Sequence, residues 1–203
     1  MRLLGWFFRK YERQFLALLL AVVWAVLYFG AHAVPHLQTA RVLEWDPVWH
    51  VPLIGAFIVP YLSLGIMPLL LYLLSEDHVF FRHWVMTVSS AAAVSAAVYI
   101  VLPLDMPRPA LDGDDVFSPL LALTYAVDVR GNFFPSQHVI FAFLTALGIG
   151  YERPRWRFLM LAWAALIAAS TLFVHQHYLV DVISGMALAF AAWGVLLWMR
   201  RRQ

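Results

Sequence analysis

The sequence predicts an all-α membrane protein of six transmembrane helices, with both termini cytoplasmic and an active site at the outer interface. Three observations carry that expectation. Of its 203 residues 63% are hydrophobic and 13% charged, with a mean hydropathy of +0.76, a composition foreign to soluble domains. The apolar residues come in runs of the roughly 20 residues that a helix needs to cross the hydrocarbon core. The basic residues are shared unequally between the two sets of loops.

The runs are 14–34, 51–74, 84–104, 137–151, 157–174 and 178–199. None alternates apolar with polar residues as barrel strands do, so all are expected to be helices. The first follows Arg2, Arg9, Lys10 and Arg13; it is too long for a signal-peptide core and lacks a small-residue cleavage site, so it reads as a retained anchor. The fourth is the weakest, because its clean apolar part is short, and it either begins earlier near Asn132 or ends below the interface. No long polar segment separates the runs, so 1–203 is expected to be a single membrane-embedded domain. There is no cysteine, which excludes disulfides and thiolate metal sites.

With both termini on one side, that side holds Arg2, Arg9, Lys10, Arg13, Arg82, Arg153, Arg155, Arg157, Arg200, Arg201 and Arg202, against Arg41, Arg108 and Arg130 on the other. Eleven against three makes the termini cytoplasmic by the positive-inside rule. Arg200, Arg201 and Arg202 fit lipid-headgroup contact, with no need for nucleic acid. Trp45 and Trp49 fit interfacial anchors in the first outer loop. The outer segment 105–136 is longer than a helix connection requires, which points to function. Within it, 117–127 suits a short amphipathic helix lying in the interface or an irregular loop; Asp112, Asp114 and Asp115 read as a solvated acidic stretch.

This topology gathers the unusual polar residues at one face. If the chain is helical from His177, then His177 and Asp181 share a helix face, and the carboxylate holds one imidazole nitrogen while the other stays available as nucleophile or base. His138 is a second imidazole, able to protonate a leaving group near neutral pH. Two such histidines are what phosphoryl transfer through a phosphohistidine requires. Ser136 stands where an N-cap would, so the amides of Gln137 and His138 open towards an anion. Arg108, between two prolines, offers a permanently charged fork matched to phosphate. Taken alone, each has a plainer reading: a structural histidine, a helix cap, a snorkelling arginine. Ionisable groups at membrane depth are costly, and their convergence on one face favours a shared site. His175 sits in the turn before His177, within reach of a phosphate.

These residues resemble the signature of the type 2 phosphatidic acid phosphatase and haloperoxidase superfamily. Arg108-Pro109 looks like the end of its basic motif, Pro135-Ser136-Gln137-His138 like its Pro-Ser-X-His motif, and 170–181 like its third motif with the Ser to His and His to Asp spacings intact. The resemblance implies His177 as nucleophile, Asp181 as its partner, His138 as general acid, and Arg108 with Ser136 as a phosphate cradle. Gln137, Ser170, Arg130 and His175 join that cradle as further candidates, and no metal or cofactor is implied. Two positions depart from the pattern: Val101 stands where the family has Lys, and Thr171 where it has a second Arg. Fewer cations suit a singly charged phosphodiester better than a monoester or diphosphate. That direction agrees with the inositol phosphorylceramide and sphingomyelin synthase branch, which the run 176–181 resembles.

The expected function is therefore a metal-independent membrane phosphatase or phosphotransferase acting on a lipid phosphate ester in the outer leaflet, leaning towards headgroup transfer. The expected location is the plasma (inner) membrane, with the site facing the periplasm or exterior. One alternative is a phosphatase of phosphatidate, phosphatidylglycerol phosphate or a polyprenyl diphosphate. Another is a proton-coupled transporter using His177, Asp181 and Arg108 as a relay, although carriers usually place such groups at the midplane.

Overall fold

The computed structural model describes residues 2–33, 39–111, 113–128, 131 and 133–202, with side chains from Tyr11 onward apart from His32. Three residues named above, Asp112, Arg130 and Asn132, lie outside the described residues. The helices are α1 (Arg2–Ala33), α2 (Ile58–Leu62), α3 (Ile66–Leu74), α4 (His78–Val101), α5 (Ser118–Val127), α6 (Gln137–Glu152), α7 (Arg157–Phe173) and α8 (Leu179–Arg201). Among the described residues there is no β-sheet; a lone parallel bridge joins Arg41 to Leu104.

Five helical stretches among the described residues are long and apolar enough to cross a membrane: Tyr11–Ala31, Gly55–Leu74, His78–Val101, Pro154–Phe173 and Leu179–Arg201. They fall on five of the six expected runs. The remaining run forms α6, whose 16 residues span roughly 24 Å, less than the hydrocarbon thickness of about 30 Å. Its shortness has a structural setting: α6 packs against α3, α4, α7 and α8, so its flanks meet helices.

Small residues permit that central position. In lipid the helices gain little from hydrophobic exclusion, and close backbone approach does the work instead. Ala142, Ala146 and Gly150 recur every fourth residue on the buried side of α6, as Ala164 and Ala168 do on α7. A Cβ on Gly150 would lie 3.0 Å from the Arg157 backbone. Indole donors add polar links: Trp84 donates to the Leu144 carbonyl at 3.1 Å and Trp163 to Ser63 Oγ at 2.8 Å.

The second apolar stretch is broken rather than straight. Pro60 and Pro68 each remove a backbone donor, and a 3₁₀ turn, Ser63–Gly65, separates α2 from α3. This bend carries Tyr61 into the protein interior, where it is 3% exposed. α5 occupies the stretch expected for a short amphipathic helix. Leu121 packs with Ile58, Tyr61 and Val174, while Leu120, Leu123 and Val127 face outward.

The two ends of the bundle differ chemically. At the end holding both termini, Arg82 meets Glu12 at 2.6 Å, Arg200 meets Asp77 at 2.6 Å, and Arg153 pairs with Glu76. Such exposed pairs are worth about 0–1 kcal/mol each, so they register helix ends more than they stabilise the bundle. The opposite end collects the start of α6, the end of α7 and the start of α8.

Candidate active site

The turn from α7 into α8 is built by a Schellman motif. The His175 amide donates to the Leu172 carbonyl at 3.0 Å and the Gln176 amide to the Thr171 carbonyl at 2.9 Å. His175 takes the left-handed position, with φ of 47°, where glycine is usual. A side chain there costs roughly 1–2 kcal/mol, and the structure gives it a purpose: the His175 Nε2 is 2.9 Å from the Val51 carbonyl oxygen, clamping the turn to the first loop. Its own carbonyl accepts from Arg108 Nη1 at 3.0 Å. Ser170 and Thr171 turn their hydroxyls onto their own helix, at 2.6 Å from Ile167 O and 2.8 Å from Ala168 O.

α8 begins two residues later than a helical pairing of His177 with Asp181 requires. Tyr178 is the N-cap, so His177 precedes the helix and Asp181 is its third residue. The carboxylate folds back: Oδ2 accepts the Tyr178 amide at 2.9 Å and meets His177 Nδ1 at 3.3 Å. The expected pair therefore exists, but capping geometry makes it. Both partners are buried, His177 to 3% and Asp181 to 0% exposure.

A residue the sequence reading passed over holds this helix start. Asp46, 2% exposed, accepts from the Val48 and Leu179 amides at Oδ1, at 2.9 and 3.0 Å, and from the Val180 amide at Oδ2, at 3.1 Å. Two carboxylates thus meet the positive end of the α8 dipole, one from within the helix and one from the first loop. The Tyr178 hydroxyl adds a tie by donating to the Asp105 carbonyl at 2.7 Å.

Ser136 caps α6 as its position predicts, accepting the Val139 amide at 3.4 Å. Its amide donates to the Asp181 carbonyl at 3.1 Å, which joins the starts of α6 and α8. That junction sets the two histidines against each other: His138 Nδ1 and His177 Nε2 are 3.2 Å apart. Gln137 takes another direction. Its Oε1 accepts from Trp24 at 2.8 Å, and it lines a cavity of about 340 Å³ with His138, Tyr28, Tyr61 and Phe141.

Arg108 stands over the rings of Tyr125 and Phe133, 4.8 and 5.7 Å from their centroids. Burial draws its guanidinium down from its ordinary value, and the Asp128 carboxylate works against that shift. Asp128 and Tyr61 are further groups that the sequence reading missed. The Tyr61 hydroxyl donates to Asp128 Oδ2 at 2.5 Å and lies 2.7 Å from His138 Nε2. Nothing local advertises either one: Tyr61 is an aromatic in an apolar run, and Asp128 a lone acid in a long loop.

The structure thus brings His138, His177 and Asp181 into one hydrogen-bonded line. Ser136 lies at its α6 end, and Arg108 is bonded to the His175 carbonyl of the neighbouring turn. Residues 84–203 match the PAP2 superfamily. The chain belongs to that superfamily. The expectation drawn from the three motifs is borne out, and all three lie inside the matched stretch. A further similarity, 38% identity over 56 residues, is to the inositol phosphorylceramide synthase catalytic subunit aur1 of Schizosaccharomyces pombe. It covers 28% of this chain and 13% of that protein, so the chain spans only a small part of the relative it matches. That relative lies in the branch to which the run 176–181 pointed.

Proposed function

We propose that this PAP2 protein is a membrane lipid phosphatase or phosphotransferase that works through a phosphohistidine, with a lean towards headgroup transfer. The observation that carries the reading is the line from Asp181 to His177 to His138, in which His177 Nε2 faces His138 Nδ1 at 3.2 Å. Asp181 holds the His177 Nδ1 proton and leaves the Nε2 lone pair for attack on phosphorus. The substrate phosphate enters between the two rings. The P–O bond opposite His177 breaks, and the departing lipid oxygen takes the proton of His138 Nδ1. Water or a lipid alcohol then gives its proton to the same nitrogen and attacks the phosphohistidine, which returns His177 to its free form. Arg108 and the start of α6 at Ser136 stabilise the phosphate oxygens. No step is assigned to a metal or cofactor.

The cavity beside His138 supports a lipid substrate. Beyond it lies an apolar space of about 490 Å³ that shares Trp24, Pro68 and Phe141 with the first and runs along α1 and α3. Acyl chains would lie there. The lean towards transfer rests on the two missing cations: Val101 is 51% exposed on the outside of α4, and the Thr171 hydroxyl is spent on its own helix. The aur1 relative, an inositol phosphorylceramide synthase subunit, points the same way. The chain is taken as one domain crossing the membrane six times, α6 making the short crossing, with cytoplasmic termini and the site at the outer leaflet of the plasma membrane. The positive-inside count and the placement of the arginine belt opposite the site support that orientation.

The test is trapping. Purified protein in micelles is incubated with head-labelled phosphatidylinositol or with ³²P-phosphatidate, quenched, and assayed for acid-labile label on histidine. Label that appears in wild type and is lost in His177→Ala supports the reading, and the substrate that labels separates diester from monoester chemistry. Turnover that survives His177→Ala defeats it.

A further inference from the structure

The hydrogen-bonded line of side chains continues past the two histidines. Four hydrogen-bonding links run in sequence: Asp181 to His177 at 3.3 Å, His177 to His138 at 3.2 Å, His138 to Tyr61 at 2.7 Å, and Tyr61 to Asp128 at 2.5 Å. Each link needs one proton. Two neutral imidazoles and one phenol supply three, because ionised carboxylates only accept. Filling all four therefore requires one more proton than the neutral groups carry, and the line ends in a carboxylate on each side to balance it.

The direction of the last link decides where protons sit. Tyr61 has a single hydroxyl proton and gives it to Asp128, so towards His138 its oxygen accepts. His138 must then carry hydrogen on Nε2. With Asp181 holding the Nδ1 proton of His177, and Nε2 of His177 bare for attack, the additional proton lies on His138 Nδ1. In this assignment the acid works as an imidazolium.

We infer that Tyr61 and Asp128 are positioning residues for His138, pinning its Nε2–H so that Nδ1 is the one nitrogen that gives and retrieves the catalytic proton. The inference rests on the phosphohistidine reading and deepens it. In the first half-reaction the P–O bond breaks, the Nδ1 proton goes to the leaving oxygen, and His138 becomes neutral with its remaining proton held at Nε2. Nδ1 is then bare and takes the proton of the attacking water or alcohol, so charge and protons balance over the cycle. Without the arm, neutral His138 is free to place its proton on either nitrogen, and half of that choice blocks the base. Asp181 performs the same service for His177, which gives the site two orienting carboxylates, one per imidazole. The other groups around Asp128 are consistent with an acceptor role: Tyr28 lies 3.4 Å from its Oδ1, and the Arg108 charge interacts favourably with it. The ring of Tyr61 also stacks obliquely on that of His138, with centroids 4.7 Å apart, which holds the imidazole plane in register with its phenol partner.

Leaving-group chemistry tests the arm. Full-length protein in micelles is given two pairs of probes: phosphatidate and p-nitrophenyl phosphate, and phosphatidylinositol and dodecyl p-nitrophenyl phosphate. An alkoxide must be protonated as it leaves, whereas p-nitrophenolate leaves without help. Positioned acid catalysis contributes about 10²–10⁴-fold, so His138→Ala should lose that factor on the alkyl ester and much less on the aryl ester. Tyr61→Phe and Asp128→Asn should show the same selectivity, with the alkyl to aryl rate ratio falling by about 10-fold or more. The aryl probe also reports folding, since a misfolded variant loses both rates together. Equal losses on both probes, or a wild-type ratio in Tyr61→Phe and Asp128→Asn while His138→Ala is selective, would overturn the arm alone. Turnover of both probes by His177→Ala, or no turnover of either pair by wild type, would overturn the underlying reading as well.

Discussion

Gly185→Ala is the sharpest probe of how the two histidines are brought together. Gly185 lies one turn beyond Asp181 on α8, facing the start of α6. A Cβ there would stand 2.8 Å from the Ser136 carbonyl oxygen and 3.1 Å from Val139 Cβ. Ordinary contact begins near 3.4 Å, so the two helix starts must part by about 0.6 Å, and the obstacle is backbone that cannot rotate away. The Ser136 to Asp181 backbone bond and the His138 to His177 link span the same junction. Overpacking of this kind costs about 1–3 kcal/mol, and because a 1 Å misplacement of reacting groups costs about 10²-fold, a loss of about 10-fold or more in rate is expected here. Gly194→Ala is the matched control on the same helix, since a Cβ there meets nothing within 4 Å. It should be neutral or stabilising by up to about 1 kcal/mol, the helix preference of alanine over glycine. Thermal unfolding in micelles and headgroup release by both variants make the comparison. If Gly185→Ala proves as stable and as active as Gly194→Ala, the close approach of α8 to Ser136 does not set the site.

Two further outcomes follow from named contacts. Asp46→Ala strips the acceptors from the half-buried Leu179 and Val180 amides and from the buried Val48 amide, so it should lower stability by about 2–3 kcal/mol, a cap loss plus unsatisfied donors; Asp46→Asn, which keeps one acceptor oxygen, should recover part of this in thermal unfolding. Burial pushes the Asp77 carboxyl up, but the Phe80 amide, the Arg200 guanidinium and the Val79 amide outweigh it and leave it below its ordinary value of 3.8. A carboxyl lowered on folding contributes stability that is complete above its unfolded value and lost as pH falls through its folded value, so wild type should weaken below about pH 4 and Asp77→Asn should flatten that limb. Thermal midpoints of the two proteins across that window decide it; parallel curves would show that the Asp77 contacts carry no linked proton.

The sequence by itself determined the elements and most of the chemistry. Hydropathy located the five long helices and the run that became α6, because desolvating backbone in lipid leaves a helix as the one local solution. Spacing and residue type fixed Ser136 as a cap, since a hydroxyl before an apolar helix satisfies an orphan amide wherever the helix later packs. The motifs around Arg108, His138 and His177 carried the family. Tertiary structure decided the rest, because those contacts join residues far apart in the chain. His177 precedes α8 instead of sharing its face with Asp181, a matter settled by the Schellman turn and by Asp46 reaching in from the first loop. Tyr61 and Asp128, from a broken span and a long loop, come to His138 only once α2 packs on α7 and α5 on α2. A side chain's type is written in the sequence, but its hydrogen-bond partner is chosen by which helices meet, and at this site five separate segments do.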